Sequence, residues 1–157
     1  MLNSNFFNTS WRDKWCIICY FRGAIHMNNL VASNPTTKKS LRVLYADDMR
    51  ELRQLLEVVL GRDGHKVESV ADGHLALNLL RANPAAFDVV ITDHHMPTVS
   101  GLQLVAELRE MNYPGRIIVF SSELSEAVEI AYRQHKVDFL LPKPVFPSEL
   151  RALFATL

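Results

Sequence analysis

The sequence is poor in cysteine: among its 157 residues only Cys16 and Cys19 carry a thiol. Two cannot build a disulfide framework, and their scarcity is consistent with a reducing compartment, so a cytoplasmic location is expected. A C-x-x-C pair can be redox-active or half of a zinc site. The first needs a thioredoxin-like strand–helix context, absent here, and the second needs two further ligands, so two incidental apolar residues are the favoured reading. Net charge is missing as well. Lys plus Arg and Asp plus Glu both number 17, which removes the electrostatic signature of a dedicated nucleic-acid binder without speaking against protein partners. Long apolar runs are also lacking: Trp15 to Phe21 falls far short of the roughly 20 residues that a membrane span requires. What is present, 48% hydrophobic and 22% charged residues, is the balance of a globular chain with one sizeable core.

Residues 1–40 stand apart. Arg12 and Lys14 ahead of the apolar stretch faintly resemble a signal peptide, but Asp13 and Arg22 flank it closely and no A-x-A cleavage site follows. Trp11, Trp15 and Tyr20 also permit a membrane-surface anchor. The favoured reading is an extension, disordered or outside the native domain, with Met27 as an alternative start; a peptide crossing Met27 in the native protein would rule that start out. Residues 28–40 are polar and contain Pro35, as a tail leading into a domain at 41–157 does.

From Leu41 onward, apolar runs alternate with helical patterns. The expected strands are Arg42–Ala46, Lys66–Val70, Asp88–Thr92, Ile117–Ser121 and Val137–Leu141. The runs VLYA, VVIT and IIVF are nearly continuous and suit strands buried on both faces, whereas HKVESV alternates and suits an edge. Leu52, Leu55, Leu56, Val59 and Leu60 form one helical stripe, stopped by Gly61 and Gly64. Asp72–Ala82 carries Ala76, Leu79 and Leu80, and Pro84 ends it. Ser100 with Gln103 makes a capping box for a helix running to about Met111. Leu124, Ala127, Val128, Ala131 and Tyr132 predict a fourth helix, and Pro147–Leu157 a fifth. Such units imply an α/β fold: a flavodoxin-like, doubly wound, five-stranded parallel sheet in strand order 2-1-3-4-5 with helices on both faces. Ligands bind such sheets at the carboxyl edge.

Four strands deliver reactive residues to that edge: Asp47 and Asp48, Asp93, Ser121 and Lys143. Singly, an Asp or Ser after a strand is more often a helix cap and a lysine merely solvated. Together, capping explains neither the third carboxylate nor the ammonium. Two carboxylates 4 Å apart repel by about 4 kcal/mol at an effective dielectric constant near 20, so the cluster needs a cation. All-oxygen ligands favour a hard ion, and few protein ligands favour Mg²⁺. With Lys143 added, the site is one anion short, and a phosphoryl group held by metal, ammonium and the Ser121 hydroxyl fits. Aspartate is a competent phosphoryl acceptor, so Asp93 can carry the group.

VLYADDMRELR (43–53), DVVITDHHMPTVSGLQLV (88–105), IIVFSSE (117–123) and LLPKP (140–144) resemble the receiver domain of two-component response regulators. The D-x-x-M-P-x-x-x-G run around Asp93 is the most specific part. The resemblance implies Asp93 as phosphoacceptor and Asp48 as a direct Mg²⁺ ligand. It implies Asp47 as a ligand mainly through water and the backbone carbonyl of His95 as the last protein ligand. Ser121 and Lys143 would hold phosphoryl oxygens, and the Lys143–Pro144 bond would be cis. His95 and Glu123 stand two residues after the acceptor and after Ser121, where side chains influence phosphoryl lifetime. Ser122 replaces the family's usual small alanine, a mild change.

There are departures. Leu140 occupies a place where the family commonly has Tyr or Phe as a switch residue. Either the switch runs through backbone and loop shifts, or Leu140 is simply a packed strand residue. His94 and His95 invite a zinc reading, but adjacent side chains are expected to diverge and only carboxylates are otherwise on offer.

The expected function is therefore signalling. A histidine kinase or histidine phosphotransfer protein phosphorylates Asp93, and the fourth helix, fifth strand and fifth helix form the face read by an output protein. A homodimer stays open. The chain itself performs only self-catalysed phosphorylation and dephosphorylation, and no output domain is expected after it. Three rivals are weaker. A phosphorylation-independent scaffold would not need the full set of site residues. A haloacid-dehalogenase-like phosphatase needs its nucleophile in a D-x-D after the first strand. A flavin module needs a phosphate-cradling loop where Asp47 and Asp48 stand.

Overall fold

The structure, a computed structural model, describes residues 39–157. The expectations about the N-terminal extension, Met27 and the Cys16–Cys19 pair lie outside the described residues. Five strands, β1 Arg42–Ala46, β2 Lys66–Val70, β3 Val89–Asp93, β4 Arg116–Ser121 and β5 Phe139–Pro142, alternate with five helices. These are α1 Arg50–Arg62, α2 Gly73–Ala82, α3 Gly101–Glu110, α4 Glu126–Gln134 and α5 Pro147–Phe154, with a short 3₁₀ turn at Pro84–Ala86. The strands are all parallel, in the order β2-β1-β3-β4-β5, so the flavodoxin-like arrangement holds.

The burial explains the order. Every residue of β3 is buried, and β1 and β4 are buried beyond their first residue, as interior strands of a parallel sheet must be. β2 has no fully buried residue and lies at an edge, as its alternating sequence indicates. On one side of the sheet, α1 and α5 are tied by Arg151 Nε to Asp63 Oδ2 at 2.8 Å. On the other, Arg81 of α2 reaches Glu107 of α3 at 2.8 Å, and Arg109 of α3 donates to the His135 carbonyl after α4 at 2.9 Å. The Ser100–Gln103 capping box is present, with Ser100 accepting from the Gln103 N–H and the Gln103 side chain accepting from the Ser100 N–H. Gly64, at φ +88°, makes the left-handed turn out of α1 that a side chain would resist.

The structure corrects several expectations. β3 starts one residue later and includes Asp93 as its last residue. β5 begins at Phe139 rather than Val137, because the Val137 N–H still turns back to the Tyr132 carbonyl and pairing with β4 starts when Asp138 donates to Ile117. In α1 only Leu56, Val59 and Leu60 are buried, while Leu55 is half exposed and lines an apolar cleft with Phe146. In α2 the buried leucines are Leu77 and Leu80 rather than Leu79. α4 buries Tyr132 alone; Ala127 is exposed and Leu124 lies outside the helix. Its stripe is apolar, but the helix sits on the flank of the sheet and only one residue reaches the core.

One surface interaction yields a pH prediction. Asp88, just before β3, accepts from the Arg42 backbone N–H at 2.8 Å and from its guanidinium at 3.2 and 2.9 Å. The guanidinium first, and the backbone N–H second, hold the Asp88 carboxyl down at about 2. A depressed carboxylate contributes stability above its unfolded value of about 4 and loses it as pH falls through its folded value. Asp88→Asn is therefore expected to be less stable than wild type at pH 7, with the gap closing from pH 4 towards pH 2. Urea midpoints at the two ends of that window check it, and a gap independent of pH would refute it.

Candidate functional site

The chain turns out of β1 at Asp47 and Asp48. Asp47 is fully buried and Asp48 exposed. Asp47 Oδ1 accepts from the Met49 N–H at 2.8 Å, and its Oδ2 accepts from the Tyr45 hydroxyl at 2.5 Å and from Lys143 Nζ at 2.9 Å. Burial, then the bond to Asp47, raises the Tyr45 pKa, so its hydroxyl stays a donor. Asp93 ends the central strand at 6% exposure, and Lys143 Nζ lies 2.7 Å from its Oδ1. Burial works against the Lys143 ammonium, but its hydrogen bonds to Asp93 and Asp47 outweigh that and raise its pKa. Arg53, in the first turns of α1, donates to the carbonyls of Asp47 at 2.7 Å and Asp48 at 3.1 Å and so braces the turn.

One carboxylate oxygen each from Asp47, Asp48 and Asp93 lies within 4.8 Å of the others. Three carboxylates against one ammonium leave the pocket with excess negative charge. A donor set of oxygens alone with that charge fits a hard divalent cation such as Mg²⁺.

Ser121, the last residue of β4, is fully buried. Its hydroxyl donates to the Glu123 carbonyl at 2.5 Å and accepts from the Glu123 N–H at 3.0 Å, so it is turned into its own loop. His95 is exposed at the rim, with Nε2 3.3 Å from Glu123 Oε2. The rings of His94 and His95 do not diverge as expected; their centroids are 4.4 Å apart, edge to face. Leu140 is 4% exposed and pairs in register with Val119, as a packed strand residue does. The Lys143–Pro144 peptide bond is cis, and Pro144 is exposed beside the apolar cleft.

The fold thus brings Asp47, Asp48, Asp93 and Lys143 into one pocket, sets Ser121 beside it facing its loop, and keeps Leu140 in the core. Three contributors escaped the sequence reading. Tyr45 could have been found, because strand alternation points residues 45 and 47 to the same face. Arg53 carries only the weaker signal of a cation near a helix start. Tyr132 reads as core, yet its hydroxyl meets His94 Nδ1 at 2.7 Å.

A doubly wound parallel sheet with an acidic, lysine-bridged pocket at its carboxyl edge is the build of a receiver domain. The chain matches the response regulator receiver domain model over residues 43–155 and belongs to that family, the receivers of two-component signalling. It is 31% identical over 143 residues to the sensory/regulatory protein RpfC of Xanthomonas campestris, covering 85% of this chain and 19% of that protein. It is 34% identical over 112 residues to the response regulator MprA of a Mycobacterium strain, covering 71% of this chain and 48% of that protein. The chain therefore spans between about a fifth and about half of the length of these relatives. Among solved structures, the chemotaxis protein CheY4 of Vibrio cholerae superposes with a TM-score of 0.69 at 28% identity, over 75% of this chain and 98% of that one. The receiver domain of the Francisella response regulator 1452 gives 0.69 at 28%, over 74% and 95%. Among the described residues no helix is long and apolar enough to cross a membrane.

Proposed function

We propose that this domain is a phosphoacceptor switch in which Asp93 takes a phosphoryl group from a phosphohistidine on a histidine kinase or phosphotransfer protein. The observation that carries the reading is Lys143 Nζ, poised at 2.7 Å from Asp93 and 2.9 Å from Asp47. An ammonium in that position holds the acceptor carboxylate in place and offers a cationic partner to an incoming phosphoryl oxygen. An Asp93 oxygen attacks phosphorus, the O–P bond forms as the P–N bond breaks, and the donor imidazole leaves with the nitrogen electron pair. Asp47, Asp48 and Asp93, with the His95 backbone carbonyl, would hold Mg²⁺, which supplies neutralisation of the phosphoryl charge. Ser121 must abandon the Glu123 carbonyl to reach a phosphoryl oxygen, so the modification is coupled to the loop ahead of α4. That helix buries only Tyr132 and can shift without dismantling the core. An output partner would read the face of α4, β5 and α5 in a cytoplasmic setting.

The test is acetyl phosphate with Mg²⁺ followed by peptide mapping of the alkali-labile acyl phosphate. Label on the peptide containing Asp93, absent from Asp93→Asn and in EDTA, is expected. Label that persists in Asp93→Asn would overturn the assignment.

A further inference from the structure

We propose that His94, His95 and Glu123 form a second metal site, for a borderline transition-metal ion of the Zn²⁺ class, at the mouth of the acceptor pocket. One ligand atom from each of the three lies within 4.8 Å of the others. Two imidazoles and one carboxylate are a donor set that Zn²⁺ accepts in catalytic and open sites, with solvent filling the remaining position. The side chains of His95 and Glu123 are 62% and 52% exposed, so an ion has free entry.

Two further features fit a ligand role. Nδ1 of His94 is engaged at 2.7 Å by the hydroxyl of Tyr132, a fully buried residue. A ring anchored through one nitrogen presents the other in a fixed direction, the outer hydrogen bond that ligating histidines generally have. The Glu123 carboxylate is restrained in turn by the Ser125 hydroxyl at 3.4 Å and by its own backbone, which is bonded to Ser121. The neighbouring aspartate cluster offers oxygen alone, so the two sites divide by hardness: Mg²⁺ in the carboxylates, a nitrogen-seeking ion on the histidines. An ion held there would bridge the loops that follow β3 and β4, one bearing the acceptor's neighbours and the other the residue next to Ser121.

Isothermal titration of Zn²⁺ into the full chain, with Mg²⁺ in excess, tests the site. A Zn²⁺ site is expected that survives both Cys16→Ser/Cys19→Ser and Asp48→Asn and is weakened at least about tenfold by His95→Ala. His95 is exposed, so this variant keeps its fold, and circular dichroism verifies that. Unaltered Zn²⁺ affinity in His95→Ala would overturn the proposal. So would loss of all binding in the double cysteine variant, which would put the ion on the N-terminal thiols, or in Asp48→Asn, which would put it in the acidic pocket.

Discussion

Replacing Lys143 by alanine is expected to destabilise the magnesium-free domain by about 3 kcal/mol and to slow phosphorylation of Asp93 about a hundredfold. Lys143 is the cation bonded to both Asp47, at zero exposure, and Asp93, at 6%. Removing one partner of a buried ion pair costs about 3–5 kcal/mol because the other charge is left uncompensated. The lower end applies here, since 17% of the Lys143 side chain is still open to water and Asp47 keeps its bonds from Tyr45 and Met49. Two controls separate this cause from a packing defect. Adding Mg²⁺ should restore much of the lost stability, and so should Asp47→Asn in the Lys143→Ala background, by removing one of the repelling carboxylates. Urea midpoints for the set, with and without Mg²⁺, measure it. A Lys143→Ala protein that unfolds with wild type, or that Mg²⁺ fails to rescue, would remove the electrostatic account of the pocket.

The second large effect concerns a pair of glycines, for which the same substitution is expected to have opposite signs. A Cβ on Gly101, at the start of α3, would collide with the Asp93 carbonyl oxygen and lie 3.0 Å from the Asp93 carbonyl carbon and the His94 Cα. These atoms are backbone and cannot swing aside. The Gly101 N–H also donates to the His94 carbonyl at 3.0 Å, so helix and acceptor loop are locked face to face. Overpacking costs about 1–3 kcal/mol, and alanine returns up to about 1 kcal/mol in helix propensity. With the Cβ set against backbone atoms the upper end of that cost applies, so Gly101→Ala should lose up to about 2 kcal/mol net and, by displacing the acceptor's own backbone, reduce the rate of Asp93 labelling. Gly61, inside α1, has nothing within 4 Å of its would-be Cβ. Gly61→Ala should gain about 0.5–1 kcal/mol and leave labelling unaffected. Thermal midpoints and acetyl phosphate labelling of the two variants decide the matter. Equal shifts would mean that the close approach of α3 to Asp93 is not what demands glycine.

Much was legible from local pattern. β1 and β2 occupy the spans that the apolar runs indicate, and the capping box starts α3 where Ser100 and Gln103 place it. These features depend on residues a few positions apart. The misread helix positions have one origin, namely that an apolar stripe says which face of a helix is greasy but not how much sheet lies beneath it. Leu55 and Leu79 belong to their stripes yet fall at the margins of the contact, and α4 overhangs the flank with Tyr132 as its one anchor.

The strand order, the edge on which chemistry gathers and the candidate residues of the pocket follow from the sequence by itself, because alternating β and α units have few ways to pack and all carry their strand ends to one edge. Only the tertiary structure decided the pairing within that edge. Lys143 meets Asp47 across 96 residues, Tyr132 meets His94 across 38, and His95 meets Glu123 across 28. No local periodicity encodes such contacts. They arise when separate strands and loops are brought into register by the sheet, and the rim's arrangement of two histidines and a glutamate came into view only there.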